Sequence, residues 1–191
     1  NVAAARLIDL DADQMLKPEF LDYVTGRADW PGSDPLAMCY AGHQFGAYVP
    51  RLGDGRAILL AEIENTYGET WDLHLKGSGP TPYSRQGDGR AVLRSCIREY
   101  LAGEAMHALG IPSTRALCLI NSDTAVYREE VETGAMLIRM ALSHIRFGHF
   151  EYFYYTNQFD QLKILADFVL QHYYPELLRD TNPYLSLLAQ V

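Results

Sequence analysis

The sequence predicts an α+β fold: an antiparallel sheet of about five strands with one helix packed on it, then a run of helices. Three observations point there. Apolar runs of strand length recur between residues 48 and 141, separated by Gly, Pro and Asp breakers. One helical pattern, over residues 93–109, interrupts them after the third run. Beyond residue 143 the apolar spacing is helical. The chain accordingly divides into a lead-in over 1–38, the sheet with its helix over 39–142, and the start of a helical part over 143–191.

In the lead-in, Asp9, Asp11 and Asp13 are spaced by two, but the glycine and distal glutamate of a calcium loop are absent. Glu19–Thr25 reads as a short helix ended by Gly26, and Pro31–Pro35 as a loop. Between Tyr40 and Tyr48, glycines flank His43 and Gln44; with no nucleophile pattern nearby, His43 reads as a hydrogen-bonded histidine inside a folded segment. Tyr48–Leu52 and Ala57–Ile63 are strand candidates around Gly53-Asp54-Gly55, a hairpin signal. That turn supports two readings. It is a tight hairpin and nothing more, or its glycines leave backbone N–H groups bare enough to meet a phosphate, with Arg56 adding charge.

Trp71–Lys76 alternates, with Trp71, Leu73 and Leu75 on one face and Asp72, His74 and Lys76 on the other, until Gly77-Ser78-Gly79-Pro80 breaks it. A lysine on a strand face is ordinarily solvated. Here it follows a glycine turn by one strand. The helix then carries Leu93, Ile97, Tyr100, Leu101, Ala105 and Leu109 as an apolar stripe, with Asp88 as expected N-cap and Gly110 and Pro112 as the stop. Glu99 lies off that stripe in line with Ser95, Ala102 and Gly103, small residues that let the face approach a strand. A carboxylate there can hold the Lys76 ammonium; otherwise Glu99 is a surface residue with no i+4 partner, because that position is Gly103. Glycine turn, strand lysine and helix glutamate, in this order, form the plan of a kinase-like small lobe.

Ser113–Ile120 is a further strand candidate, and Val126–Val131 and Ala135–Ala141 read as a hairpin around Glu132-Thr133-Gly134. Arg139 falls on the last strand, Ser143 is a cap candidate, and Arg146 follows. Singly, each arginine reads as a surface or ion-pairing group. Together with Lys76 and Arg56 they suit a polyphosphate, for which the guanidinium fork is well shaped. Phe159–Tyr173 is the clearest later helix, stopped by Pro175, and Tyr154, Tyr155, Tyr173 and Tyr174 read as packing groups.

A net charge of −8 argues against broad nucleic-acid binding, which needs a basic surface. The 3 cysteines are scattered, with no Cys-x-x-Cys, so neither a zinc nor a redox signature is present, and Cys96 and Cys118 fall within apolar patterns as core residues. No apolar run approaches the roughly 20 residues of a membrane span.

Several long strings match one known family: YAGHQFG (Tyr40–Gly46), PRLGDGRAILLAE (Pro50–Glu62), DLHLKGSGPTPYSRQGDGRAVLRSCIREYL (Asp72–Leu101), EAMHALGIPSTRAL (Glu104–Leu117) and MALSHIRFGHFEYF (Met140–Phe153). On these strings the chain resembles the amino-terminal part of the selenoprotein O family, kinase-like proteins that carry out protein AMPylation. The resemblance implies a kinase-like small lobe plus the opening helices of a truncated large lobe. It implies transfer of AMP from ATP to Ser, Thr or Tyr hydroxyls of proteins, with release of pyrophosphate and with magnesium, or manganese, as the metal. Carried over by motif, Gly53, Gly55, Arg56, Lys76, Asp88, Gly89, Arg139 and Arg146 correspond to ATP-contacting positions, and Glu99 to the glutamate paired with the lysine. The catalytic aspartate and the metal ligands of the family are expected downstream of Val191, so no catalytic or metal residue is expected within the chain and the chain by itself is expected to be inactive. Protein substrates, no nucleic acid, no membrane and a monomeric state are expected, in the cytoplasm if the source is bacterial and in mitochondria if it is eukaryotic. Two other readings remain open at this point: a conventional kinase, and a pseudokinase module that holds nucleotide without turnover.

Overall fold

Described over residues 1–191 in a computed structural model, the chain divides into two units, Asn1–Met38 with Gly53–His144, and Cys39–Leu52 with Ile145–Val191. In chain order the helices are α1 (Val2–Ala5), α2 (Ala12–Met15), α3 (Pro18–Val24), α4 (Leu93–Ala108), α5 (Phe147–Tyr155), α6 (Phe159–Tyr173) and α7 (Pro183–Gln190). The strands are β1 (Gly42–Gln44), β2 (Ala47–Val49), β3 (Ala57–Glu64), β4 (Thr70–Lys76), β5 (Ala91–Val92), β6 (Arg115–Tyr127) and β7 (Val131–Ala141).

The first unit is an antiparallel sheet of five strands, the α+β arrangement expected and one compatible with a kinase-like lobe. Strand β7 is its centre. β6 pairs along one edge of it, and β4 and then the short β5 along the other, with β3 outside β4. Because successive side chains of a strand point to opposite faces, the sheet buries two different layers. Leu73, Leu75, Ile138 and Met140 pack with Ala4, Ala5, Ile8, Phe20 and Val24. The first 38 residues supply much of one core. Fully burying a leucine contributes about 1.5–3 kcal/mol, so these contacts are substantial. On the opposite face, Ala91, Ala116, Ala135 and Leu137 pack against Cys96 of α4.

Helix α4 stops where expected, in a Schellman motif: Gly110 N–H donates to His107 O and Ile111 N–H to Met106 O, both at 3.0 Å, with Gly110 at φ 75°. Its rotation differs from the expected stripe. Cys96, Leu93 and Tyr100 face the sheet, whereas Ile97, Leu101 and Leu109 are exposed. The inward face is set by polar partners and small residues. Glu104 receives a two-pronged bond from Arg115 (3.0 and 2.9 Å) and one from the Ala116 N–H (3.0 Å), and a Cβ at Gly103 would lie 3.0 Å from Thr114 O.

Three local expectations are corrected. The N-cap of α4 is Val92, not Asp88, because Ala91–Val92 pair with Ala135 and Gly134 as a strand before the helix begins. The β6–β7 turn lies at Arg128–Glu130, where Arg128 N–H donates to Glu130 O (3.0 Å), and Glu132-Thr133-Gly134 is inside β7. No hairpin spans Gly53-Asp54-Gly55; β2 pairs with β1, and β3 with β4.

In the second unit, β1 and β2 form a tight hairpin whose turn residues Phe45 and Gly46 both have positive φ (55° and 78°), the twist-matched geometry for a two-residue loop. Ala41 N–H donates to Gly148 O (2.8 Å), and Tyr48 meets Tyr155 edge-on, so the Tyr40–Tyr48 segment packs on α5. His43 is exposed there rather than enclosed. The N-cap of α5 is Arg146, not Ser143: its N–H donates to His149 Nδ1 (2.9 Å). Val169, Leu170 and Leu187 form the core, with Tyr173 and Tyr174 against it; Tyr154 and Tyr155 are largely exposed.

The Glu104–Arg115 pair fixes α4 to β6, and Arg115 is buried. Glu104→Ala leaves that guanidinium without its carboxylate and should cost about 3 kcal/mol, read as a fall in the urea midpoint; the conservative Glu104→Gln should cost less.

Candidate functional site

The polar face of β4 and β7 carries the site. In the β4–β7 register His74 lies opposite Arg139 and Lys76 opposite Leu137, so Asp72, His74, Lys76 and Arg139 share the face on which α4 sits. Two cations this close on one face repel each other. Glu99, the residue of α4 that faces them, offsets this with both oxygens: Oε2 accepts from Lys76 Nζ, and Oε1 lies 3.1 Å from Arg139 Nη1. The expected lysine–glutamate pair is present, and it is shared with Arg139. All three side chains are only partly exposed, which makes the bonds stronger than a surface pair.

Behind this cluster lies a second polar layer. His74 is fully buried, its Nε2 lies 3.1 Å from Asp54 Oδ2, and its Nδ1 lies 2.5 Å from Arg139 Nη2. Burial, followed by the charge of Arg139, pushes the His74 pKa down to about 4 against the opposing pull of Asp54. His74 is neutral at neutral pH, so its contact with Asp54 is a hydrogen bond and not an ion pair. Beside it, His144 stacks on the His74 ring at 4.5 Å and is held by Asp72, whose Oδ2 accepts from His144 N–H (2.7 Å).

The Gly53-Asp54-Gly55 loop is clamped from two sides. Asp54 N–H donates to Met38 O (2.9 Å), and Met38 N–H donates to Asp54 Oδ2 (3.1 Å). Thr81 Oγ1 donates to Asp54 O (2.6 Å) and Ser84 Oγ to Gly55 O (2.5 Å). Gly53 has φ 58°, and a Cβ there would fall 2.3 Å from the Tyr83 ring, so the clamp admits only glycine. The expectation of bare backbone donors is corrected for two groups: Asp54 N–H is spent on Met38 O, and Gly55 N–H on Gly53 O (3.0 Å). Arg56 is exposed, and its carbonyl accepts from Gly77 N–H (2.8 Å), which ties the loop to the residue after Lys76.

The other sequence-derived positions sit as follows. Asp88 is engaged by Arg128 through two bonds (2.8 and 3.0 Å), and that guanidinium, with help from Arg90 N–H, holds its pKa at about 2. Gly89 has φ 64°, and a Cβ there would lie 1.9 Å from Gly79 O, where the loop after β4 closes on itself. Arg146 belongs to the second unit, where its guanidinium lies 4.5 Å from the centre of the Tyr40 ring. No group of three or more His, Cys, Asp or Glu is placed to hold a metal ion. Sequence reasoning assigned no role to Asp54, His74, Thr81, Tyr83 or Ser84. The one available signal was that His74 shares the strand face of Lys76.

The chemistry these residues offer is anion binding. Lys76, Arg139 and exposed Arg56 supply positive charge around a loop of fixed backbone, in a chain whose net charge is −8. A nucleotide polyphosphate fits this donor set.

The depressed pKa of His74 has a definite sign. Below about 6.5 the unfolded chain takes up a proton at this residue, whereas the folded chain does so only near 4. Stability should therefore fall as pH drops from 6.5 toward 4, by up to about 3 kcal/mol from this group. Asp88 and Glu104, both held at about 2, add their own losses only below about 4.5. Urea midpoints of wild type and His74→Gln, compared between pH 7 and 5, should diverge at the upper end and converge at the lower.

The family model described as "Protein adenylyltransferase SelO" matches residues 1–191. Among curated relatives, a "Protein nucleotidyltransferase YdiU" of Pseudomonas entomophila (strain L48) is 59% identical over 189 residues, covering 99% of this chain. The protein of the same name from Myxococcus xanthus (strain DK1622) is 57% identical over 191 residues, 100% of this chain. In both comparisons the chain spans 39% of the relative's length. No helix is long and apolar enough to cross a membrane. With a family-model match over residues 1–191 and relatives 57–59% identical across the chain, this chain belongs to the SelO family of nucleotidyltransferases.

Proposed function

We propose that this chain is the ATP-binding part of a protein adenylyltransferase that moves AMP from ATP to Ser, Thr or Tyr hydroxyls of other proteins. The observation that carries the reading is the Glu99 carboxylate bridging Lys76 and Arg139 beside the clamped Gly53–Arg56 loop. In the transfer, a hydroxyl oxygen bonds to the α-phosphorus, the bond from that phosphorus to the bridging oxygen breaks, and pyrophosphate leaves. Such chemistry depends chiefly on positioning and on neutralising charge as it develops. Lys76 and Arg139 are held in one orientation before nucleotide arrives, so little reorganisation is needed on binding. Arg56, Asp88, Gly89 and Arg146 are assigned to the same nucleotide: Arg56 and Arg146 as further cations, Gly89 as the position where only a bare backbone fits. Asp88 has to release Arg128, or present it, when nucleotide binds.

Magnesium, or manganese in its place, would neutralise the phosphates. Its ligands and the carboxylate that receives the hydroxyl proton are assigned to the part of such a protein beyond these 191 residues, since the relatives are longer. The chain alone then binds ATP without turnover. A monomer acting on proteins in the cytoplasm, with no nucleic-acid partner, completes the proposal.

The test uses the full-length protein with ATP labelled at either the α or the γ position. Label should pass to protein from α-labelled ATP only; transfer from the γ position would make the protein a conventional kinase, and transfer from neither a nucleotide-holding module. Lys76→Ala should abolish or severely reduce transfer. Arg139→Ala and Arg146→Ala should each weaken it by about one to two powers of ten, the loss expected for a hydrogen bond between charged groups. Wild-type rates in all three, with melting temperatures unchanged, would overturn the assignment.

A further inference from the structure

His74 is an unusual group to bury beside two cations. It is fully buried, lies on the same strand face as Lys76, and joins two parts of the site that are otherwise separate in sequence. Its bonding pattern admits one tautomer. An arginine side chain only donates, so the Nδ1 that faces Arg139 Nη2 at 2.5 Å must be an acceptor. The single proton of the neutral ring then sits on Nε2, which donates to Asp54 Oδ2 at 3.1 Å. A second proton, on Nδ1, would confront the guanidinium directly. The pKa lowered to about 4 agrees with a ring that stays neutral.

We propose that His74 is a positioning residue: as its Nε2–H tautomer it ties the Asp54 carboxylate of the Gly-Asp-Gly loop to the guanidinium of Arg139, and so sets the spacing between that loop and the Lys76–Glu99–Arg139 cluster. The relay is continuous. Met38 N–H and His74 Nε2–H both donate to Asp54 Oδ2. Arg139 donates through Nη2 to His74, and its Nη1 lies 3.1 Å from Oε1 of Glu99, whose other oxygen receives Lys76. Arg139 is thus gripped at both ends of its fork. Free rotation of the guanidinium would cost affinity for a phosphate each time it binds; the fork held by His74 has already lost that freedom. The loop gains a matching constraint, because Asp54 is the residue between the two glycines. Neutrality matters as much as shape. A charged ring would add a third cation next to Arg139, which the single Glu99 carboxylate could not offset.

This inference rests on the nucleotide reading above, and the experiment separates the two. Full-length wild type and His74→Leu, His74→Asn and His74→Gln are titrated with ATP and magnesium by calorimetry, alone and in an Arg139→Ala background. Asn places a carbonyl near the position of Nδ1, and Gln an amide near that of Nε2, so each keeps one half of the relay. Leu keeps neither. Loss of ATP affinity by roughly ten- to a hundredfold is expected for Leu, the size of one lost bond to a charged group, with a smaller loss for Asn and Gln. In the Arg139→Ala background the same His74 substitutions should add little further loss, because their effect runs through Arg139. A purely structural role would subtract equally in both backgrounds and overturns the proposal. So does a folded Leu variant with wild-type affinity. Should Leu fail to fold, the Asn variant in the two backgrounds decides between the same outcomes. Independently of nucleotide, the nitrogen resonances of His74 in ¹⁵N-histidine-labelled wild type should report the Nε2–H tautomer at pH 7; the Nδ1–H tautomer or a charged ring overturns the relay. Wild type that binds no ATP removes the nucleotide reading and the positioning role with it, whereas wild-type binding with unaltered variants removes the relay alone.

Discussion

The geometry of the first unit turns on one carboxylate. Glu99 stands between Lys76 on β4 and Arg139 on β7, two cations that an antiparallel register brings to one face of the sheet. Without an anion there, burying both would be costly, since partly desolvated like charges repel strongly. The requirement passes up the hierarchy. Glu99 reaches the sheet only if α4 lies close to it, and α4 lies close because Gly103 meets the Thr114 carbonyl and Glu104 grips Arg115. The packing of the helix and the charge balance of the site are thus one constraint.

That constraint explains why α4 is turned as it is. An amphipathic helix would ordinarily bury its leucines. Here the inward face carries Glu99, Gly103, Glu104 and the buried Cys96, and leaves Ile97, Leu101 and Leu109 exposed. The ion pairs and the close approach at Gly103 prevail over apolar burial, because a guanidinium left buried without its partner costs more than an exposed leucine gains by burial. Periodicity records which residues are apolar, not which face carries the charges that the sheet needs.

The same distinction separates what was legible in the sequence from what was not. Strands β3, β4, β6 and β7, the stop of α4, the Lys76–Glu99 pair and α6 were legible, because each rests on a local pattern of period two or near four, or on a Gly-Pro stop; the two-residue β5 was not. The turn chemistry misled where a distant segment intervened. Gly53-Asp54-Gly55 carries a hairpin signal, yet Met38 pairs with Asp54 through two bonds and the loop leads out of the second unit into β3. Asp88 has the side chain of an N-cap, but β7 recruits Ala91–Val92 as a strand first, and Arg128 takes the carboxylate. Gly134 looked like a turn and is instead a strand residue paired with Val92. The Tyr40–Gly46 string, opaque as chemistry, acquires a packing role: Ala41 bonds to Gly148, and the Tyr40 ring lies under Arg146.

What no local pattern reveals is a group whose role depends on burial from both sides. Alternation placed His74 on the face of Lys76, where a histidine is ordinarily half-solvated. Residues of α1 and α3 bury one face of β4, and on the other His74 is enclosed by Asp54, Arg139 and the stacked His144 ring, so it loses water altogether. Once dry, it must be neutral, and once neutral beside an arginine it has a single tautomer. The proton on Nε2 then selects Asp54 as its acceptor, and a strand residue becomes bound to a loop twenty positions earlier. The order of causes runs from packing to protonation to connectivity, and only its first term, the apolar content of the flanking strands and helices, is written locally in the chain.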